Sequence, residues 1–214
     1  DRRLDMPDGG SGITNAEAQD IMSEYEGTEI EKYAKEVDAL IKEAMDIRVE
    51  AGLVSQETAD ELSKAYQYYV PLKGKDGAES FGGRGKGFSV TGKDIKRAKG
   101  RSSTADNPFV QAVLDYEDAV VRAEKNKVSQ KLLDLATENP DKTLWEVESL
   151  KYTPRYDKEG EIQYMDPKYK TADNVVEVKV EGKVKYITIH DAPLAQGMKN
   201  LGQEKGIKVL QTIN

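Results

Sequence analysis

Asn107-Pro108 is the most constraining dipeptide in this chain. Asn is a favoured N-cap. Pro suits the first helical position, where an N–H would have no partner anyway. From there Phe109, Val113, Tyr116, Val120, Ala123, Val128, Leu132 and Leu135 recur at helical spacing to about Thr137. No Gly or Pro interrupts them until Asn139-Pro140-Asp141. The spacing predicts a helix of about eight turns. A helix of that length sets the size of the fold, and shorter elements are expected to pack along it.

The residues before it read as helical too. Thr14 with Glu17, and Thr28 with Glu31, have the form of capping boxes. The first opens a helix with a weak apolar face (Ala16, Ile21, Met22) that ends at Gly27. The second opens a helix whose stripe is Ile30, Tyr33, Ala34, Val37, Ile41, Ala44, Met45 and Ala51, with acidic and basic residues opposite. Gly52 is its stop and Ser55 the N-cap of a third helix carrying Ala59, Leu62 and Tyr66. Helices 28–51 and 55–67 are expected to form an antiparallel hairpin against the long helix. Tyr66 to Leu72 precedes and includes Pro71 and reads as extended. Thr91, with Asp94 at its third position, reads as the cap of a short helix through Lys99.

After Pro140 the pattern changes to strands. Leu144, Trp145, Val147, Leu150 and Tyr152 are strand-like, and Glu161 to Met165 alternates loosely. Val176, Val178 and Val180 fall on one face, with Glu177 and Lys179 on the other. Glu181-Gly182 reads as a two-residue hairpin turn into Val184, Tyr186, Thr188 and His190. Asp191 caps a last short helix from Pro193 to about Leu201. The fold class is therefore α+β. A helical N-terminal two-thirds with a long central helix precedes a small antiparallel sheet near the C-terminus. Residues 1–140 form a helical region interrupted by a basic Gly-rich loop at 73–107. Residues 141–214 form the sheet region with its terminal helix.

Composition narrows the chemistry. There is no Cys and one His, which excludes thiol nucleophiles, Cys-based zinc sites and multi-His metal sites. No cofactor is expected. No apolar run reaches membrane-spanning length. Leu, Ile, Val and Phe make up about 21% of the chain, close to the lower limit for a folded domain. The net charge of −7 is unevenly spread. Between Lys73 and Arg101 stand nine basic residues, Lys73, Lys75, Arg84, Lys86, Lys93, Lys96, Arg97, Lys99 and Arg101, against three acids. That window is +6 and the rest of the chain −13. Its GGRGKG run is neither a Walker A nor a dinucleotide fingerprint. It reads either as a solvated loop or as a contact for phosphate or nucleic acid, without sequence specificity. His190 has no flanking nucleophile motif, and hydrolysis through it is the least favoured reading. The paired carboxylates carry no motif either. Tyr66, Tyr68 and Tyr69 beside Val70-Pro71-Leu72 form either core or an interaction surface.

The segments MPDGGSGITNAEA, AGLVSQETADEL, YYVPLKG, GRSSTADNPFVQAVLDYEDAVVRAEKNKVSQKLLDLATENP and VEGKVKYITIHDAPLAQGMKNLG resemble, in this order, the large polyvalent protein-associated domains of phage and prophage polyproteins. The resemblance covers most of the chain and brings no catalytic signature. It implies a non-catalytic structural or interaction module, acting near or delivered with DNA, in a defence-against-restriction-like context. The partners it implies are other modules of the same polyprotein, phage proteins and DNA; the setting is the virion or the host cytoplasm. Asp191 is followed by Ala192 before Pro193, a small departure from that family's hairpin ending. The chain starts at Asp1 without Met and is expected to be a piece of a longer protein.

Overall fold

A computed structural model describes residues 14–65, 87–95, 107–149, 154–156, 162–164 and 172–200. The fold is α+β, with a long central helix and a three-stranded antiparallel sheet near the C-terminus. The chain divides into two compact units: Asp1–Gly83 with Lys93–Ala123, and Arg84–Gly92 with Glu124–Asn214. The sequence-based boundary near Pro140 lies inside the second unit.

In the first unit, α1 (Asn15–Glu24) starts at the expected capping box. The Glu17 backbone N–H donates to Thr14 Oγ1 at 3.2 Å, and Thr14 N–H donates to Glu17 Oε2 at 2.7 Å. These bonds hold the Glu17 carboxyl below its ordinary range. Helix α2 (Glu29–Glu50) begins at Thr28, but the second box does not close. Glu31 Oε2 accepts instead from Gly27 N–H at 2.7 Å, one residue earlier, and the Thr28 hydroxyl donates to Tyr25 O. Gly27, at φ 72°, turns its amide to where Glu31 can reach it.

Gly52 ends α2 at φ 69°. The amides of Gly52 and Leu53 fold back to Val49 O and Arg48 O. Ser55 Oγ then accepts from Thr58 N–H and starts α3 (Gln56–Ala65), which contacts α2. Asn107 Oδ1 accepts from the amides of Phe109 and Val110 and caps α4 (Pro108–Glu138), as predicted. Residues Pro108–Ala123 of α4 belong to the first unit.

That part of α4 is held by charge as well as by alanines. Arg48 grips Asp115 with both Nη atoms at 2.9 and 3.1 Å, and Nη2 also donates to Asp115 O. Arg122 Nε donates to Asp94 Oδ1 at 2.7 Å, with both side chains 2% exposed. Ala44, Ala112, Ala119 and Ala123 are buried. Only the first five residues of the helix expected from Thr91 to Lys99 are described. Residues 91–95 are non-helical, Gly92 has φ 84°, and the Asp94 carboxylate accepts from Arg122. Residues 96–99 lie outside the described residues.

In the second unit the sheet order is β1 (Trp145–Ser149), β5 (Lys183–Ile189), β4 (Val175–Val180), all antiparallel. Glu181 and Gly182, at φ 50° and 74°, make the two-residue turn between β4 and β5. A separate hairpin pairs β2 (Pro154–Tyr156) with β3 (Ile162–Tyr164). Asp191 Oδ1 accepts from Leu194 N–H and caps α5 (Ala192–Asn200). The core joins Leu132 and Leu133 of α4 to Val176, Val178, Ile187 and Ile189 of the sheet and Ala195 and Met198 of α5. Trp145 packs at its margin.

The face of β4 that carries Glu177 and Lys179, opposite Val176 and Val178, is covered as well. Both charged residues are buried, at 5% and 3% exposure. The reason is the edge of β4. Val90 N–H donates to Glu177 O, and Glu177 N–H donates to Ser89 Oγ at 3.0 Å. One step along, Lys179 N–H donates to Asn126 Oδ1 at 2.9 Å, while Asn126 Nδ2 donates to Lys179 O at 2.8 Å. Lys179 Nζ bonds Gly92 O. The segment 87–92 and the α4 side chains thus close a sheet edge that would otherwise invite pairing.

Candidate interaction surface

The apolar stripe of α2 is continuous in sequence but not in burial. Its C-terminal half is covered: Ala44 and Ala51 are 0% and 1% exposed. Its N-terminal half is open, with Ile30 and Tyr33 at 55% and 56%. Beside that open half stands the start of α4, with Phe109 59% exposed. Ile30, Tyr33, Ala34, Val37 and Leu40 together with Pro108 and Phe109 line a groove of about 750 Å³. Glu36 and Asp38 also line it. Its size is that of a site for a drug-sized ligand or for one face of a docked helix.

The groove follows from how the two helices are pinned. Arg48–Asp115 and the Tyr116 hydroxyl on Glu43 Oε1, at 3.1 Å, tie the later part of α2 to α4. The bond to Glu43 raises the Tyr116 pKa. Amino-terminal to these ties α2 continues for about four turns while α4 ends at its Asn107 cap. Nothing in helix propensity separates Ile30 from Ile41; the loss of a covering neighbour does.

The electrostatics around the groove are acidic. Residues 14–65 carry fourteen acidic and five basic side chains. At about 100° per residue, Glu29 and Glu36 border the stripe on one side and Glu31 and Asp38 on the other. Lys32 and Lys35 fall on the far face, where Lys35 pairs with Glu31. That pairing, with the Gly27 amide, lowers the Glu31 pKa.

Of the nine basic residues singled out in the sequence, Lys93 is exposed. Lys73, Lys75, Arg84, Lys86, Lys96, Arg97, Lys99 and Arg101 lie outside the described residues, as do Tyr66, Tyr68 and Tyr69. His190 is exposed at the end of β5, where its backbone N–H donates to Leu144 O at 2.7 Å. Among the described residues no group of three or more His, Asp or Glu side chains is placed to hold a metal ion. No helix among them is long and apolar enough to cross a membrane. The groove was missed in the sequence because its residues read as ordinary core. The available signal was the acidic border on both sides of the stripe.

Comparison with protein families, curated proteins and solved structures finds no match to this chain.

Proposed function

We propose that this chain is a non-catalytic interaction module that binds a protein partner through the groove between α2 and the start of α4. The carrying observation is the half-covered stripe: Ile30, Tyr33 and Phe109 are each more than half exposed beside a buried continuation of the same helix face. Contiguous exposed apolar surface of this kind marks interaction sites in folded proteins. The resemblance to phage polyprotein modules supplies the setting for this reading: a virion-associated polyprotein whose other modules are the partners.

The test is a photoreactive benzoylphenylalanine at position 33, with the protein produced alongside its natural neighbours. The expected result is an intermolecular adduct at position 33 and none from an exposed control position such as Lys64. Absence of the adduct at position 33 overturns the reading.

A second reading, nucleic-acid contact without sequence preference, is supported by the +6 charge of the Lys73–Arg101 window in an acidic chain. It predicts a gel shift of duplex DNA at low salt that disappears steeply as salt rises. No shift at low salt removes it.

A further inference from the structure

We infer that the occupant of the groove is an amphipathic helix whose apolar stripe is flanked by Lys and Arg. This rests on the reading of the groove as a docking surface and adds the chemistry of the partner. Three observations carry it. The floor is a helix-spaced run of apolar side chains, exposed at Ile30 and Tyr33 and half-buried at Val37 and Leu40. A groove of that kind takes i, i+3, i+4, i+7 anchors from a second helix. Along residues 29–38 the border is acidic on both sides, Glu29 and Glu36 on one and Glu31 and Asp38 on the other, with Lys32 and Lys35 on the far face.

The wider surface has the same sign: residues 14–65 carry a net charge of −9. A second copy docking by the same face would set acidic borders against each other, which like-charge repulsion disfavours. A helix with acidic flanks is disfavoured for the same reason. A basic-flanked helix instead gains long-range steering towards the groove and register from both borders.

The experiment uses the full chain and three synthetic helical peptides of eighteen residues. One has a Leu stripe flanked by Lys, one the same stripe flanked by Glu, and one the Lys composition scrambled so that no stripe forms. Binding is followed by fluorescence anisotropy at low and physiological salt. The Lys-flanked peptide is expected to bind and to weaken with salt; the other two are expected not to bind. Tyr33→Ser and Phe109→Ser, at positions open enough for the fold to tolerate them, are expected to abolish binding. Glu36→Gln with Asp38→Asn is expected to weaken it about tenfold.

Equal binding of the Glu-flanked peptide would overturn the charge inference and leave the docking surface standing. Binding of the scrambled peptide, or binding that survives Tyr33→Ser and Phe109→Ser, would place the contact elsewhere and overturn the inference as well. Failure of the Lys-flanked peptide to bind overturns it too. The cross-link at position 33 then decides separately whether the groove has another occupant. Dimerisation lost with Tyr33→Ser would assign the groove to a second copy instead.

Discussion

Replacing Asn126 by Ala tests the clasp that closes the β4 edge. Asn126 is fully buried, and its side-chain amide accepts from Lys179 N–H and donates to Lys179 O. The two bonds are not equivalent. Gln130 Nε2 also donates to Lys179 O at 2.8 Å, so the carbonyl keeps a donor after the substitution. The Lys179 amide loses its Asn126 acceptor in a site closed to water. Stranding a buried donor costs about 1–3 kcal/mol, and the lost second bond adds about 0.5–1.5 kcal/mol. Asn126→Ala should therefore destabilise the second unit by about 2–4 kcal/mol. Gln130→Ala should cost under about 1 kcal/mol, because Asn126 still serves the carbonyl.

Trp145 is the only Trp and sits against the core of that unit, so its fluorescence during urea unfolding reports on it directly. The larger loss corresponds to a midpoint lower by about 1–3 M. Equal effects of the two substitutions, or a change under about 0.5 kcal/mol for Asn126→Ala, would refute the claim that this amide carries the edge.

Three further outcomes follow from the same geometry. Gly87 has φ 58°, and an added Cβ would overlap the backbone of Met198 and Lys199. Gly87→Ala should cost several kcal/mol by Trp145 fluorescence, while Gly92→Ala, at φ 84° with open space around it, should cost only about 1–2 kcal/mol of backbone strain. Asp94→Asn removes the charged partner of the buried Arg122–Asp94 pair and should destabilise the first unit by about 3–5 kcal/mol in thermal unfolding followed by helical circular dichroism. The Thr143 hydroxyl, then the Thr143 amide, lower the Asp141 pKa. Stability from that carboxylate is present above its unfolded pKa and lost as pH falls through the folded one. Thr143→Val should make the acid limb of the stability profile shallower, and an unchanged limb would contradict this.

The ends of elements were the legible part of the fold. Asn107-Pro108, Ser55, Asp191, Gly52 and Glu181-Gly182 act locally, through bonds to residues two to five positions away, and each does in the structure what its sequence context predicts. Thr28–Glu31 shows the limit of local reading. The acceptor was right, but Gly27 offers Glu31 a nearer amide than Thr28 does. The buried face of α4 was not legible. Arg122, Asn126 and Ser129 look like surface residues in a periodic helix, and Phe109, Val128 and Leu135 look like core. The reverse holds because the partners of Arg122, Asn126 and Ser129 come from residues 28–53 positions away: Asp94, Phe88 and the Lys179 backbone. The burial of Glu177 and Lys179 was not legible for the same reason, since alternation assigns faces and cannot show a segment lying along the strand edge. The groove depends on which half of a uniform stripe receives a neighbour, and the Arg48–Asp115 pair that decides it spans 67 residues.

Amide hydrogen exchange along α2 in the isolated chain tests the central claim most directly. Local opening is easier where few apolar contacts cover a helix. The account predicts faster exchange over residues 33–40 than over residues 44–50, and slowing of the first stretch when the Lys-flanked peptide is added. Equal, strong protection of both stretches in the free chain would mean that the stripe is already covered, and would contradict a groove open to a partner.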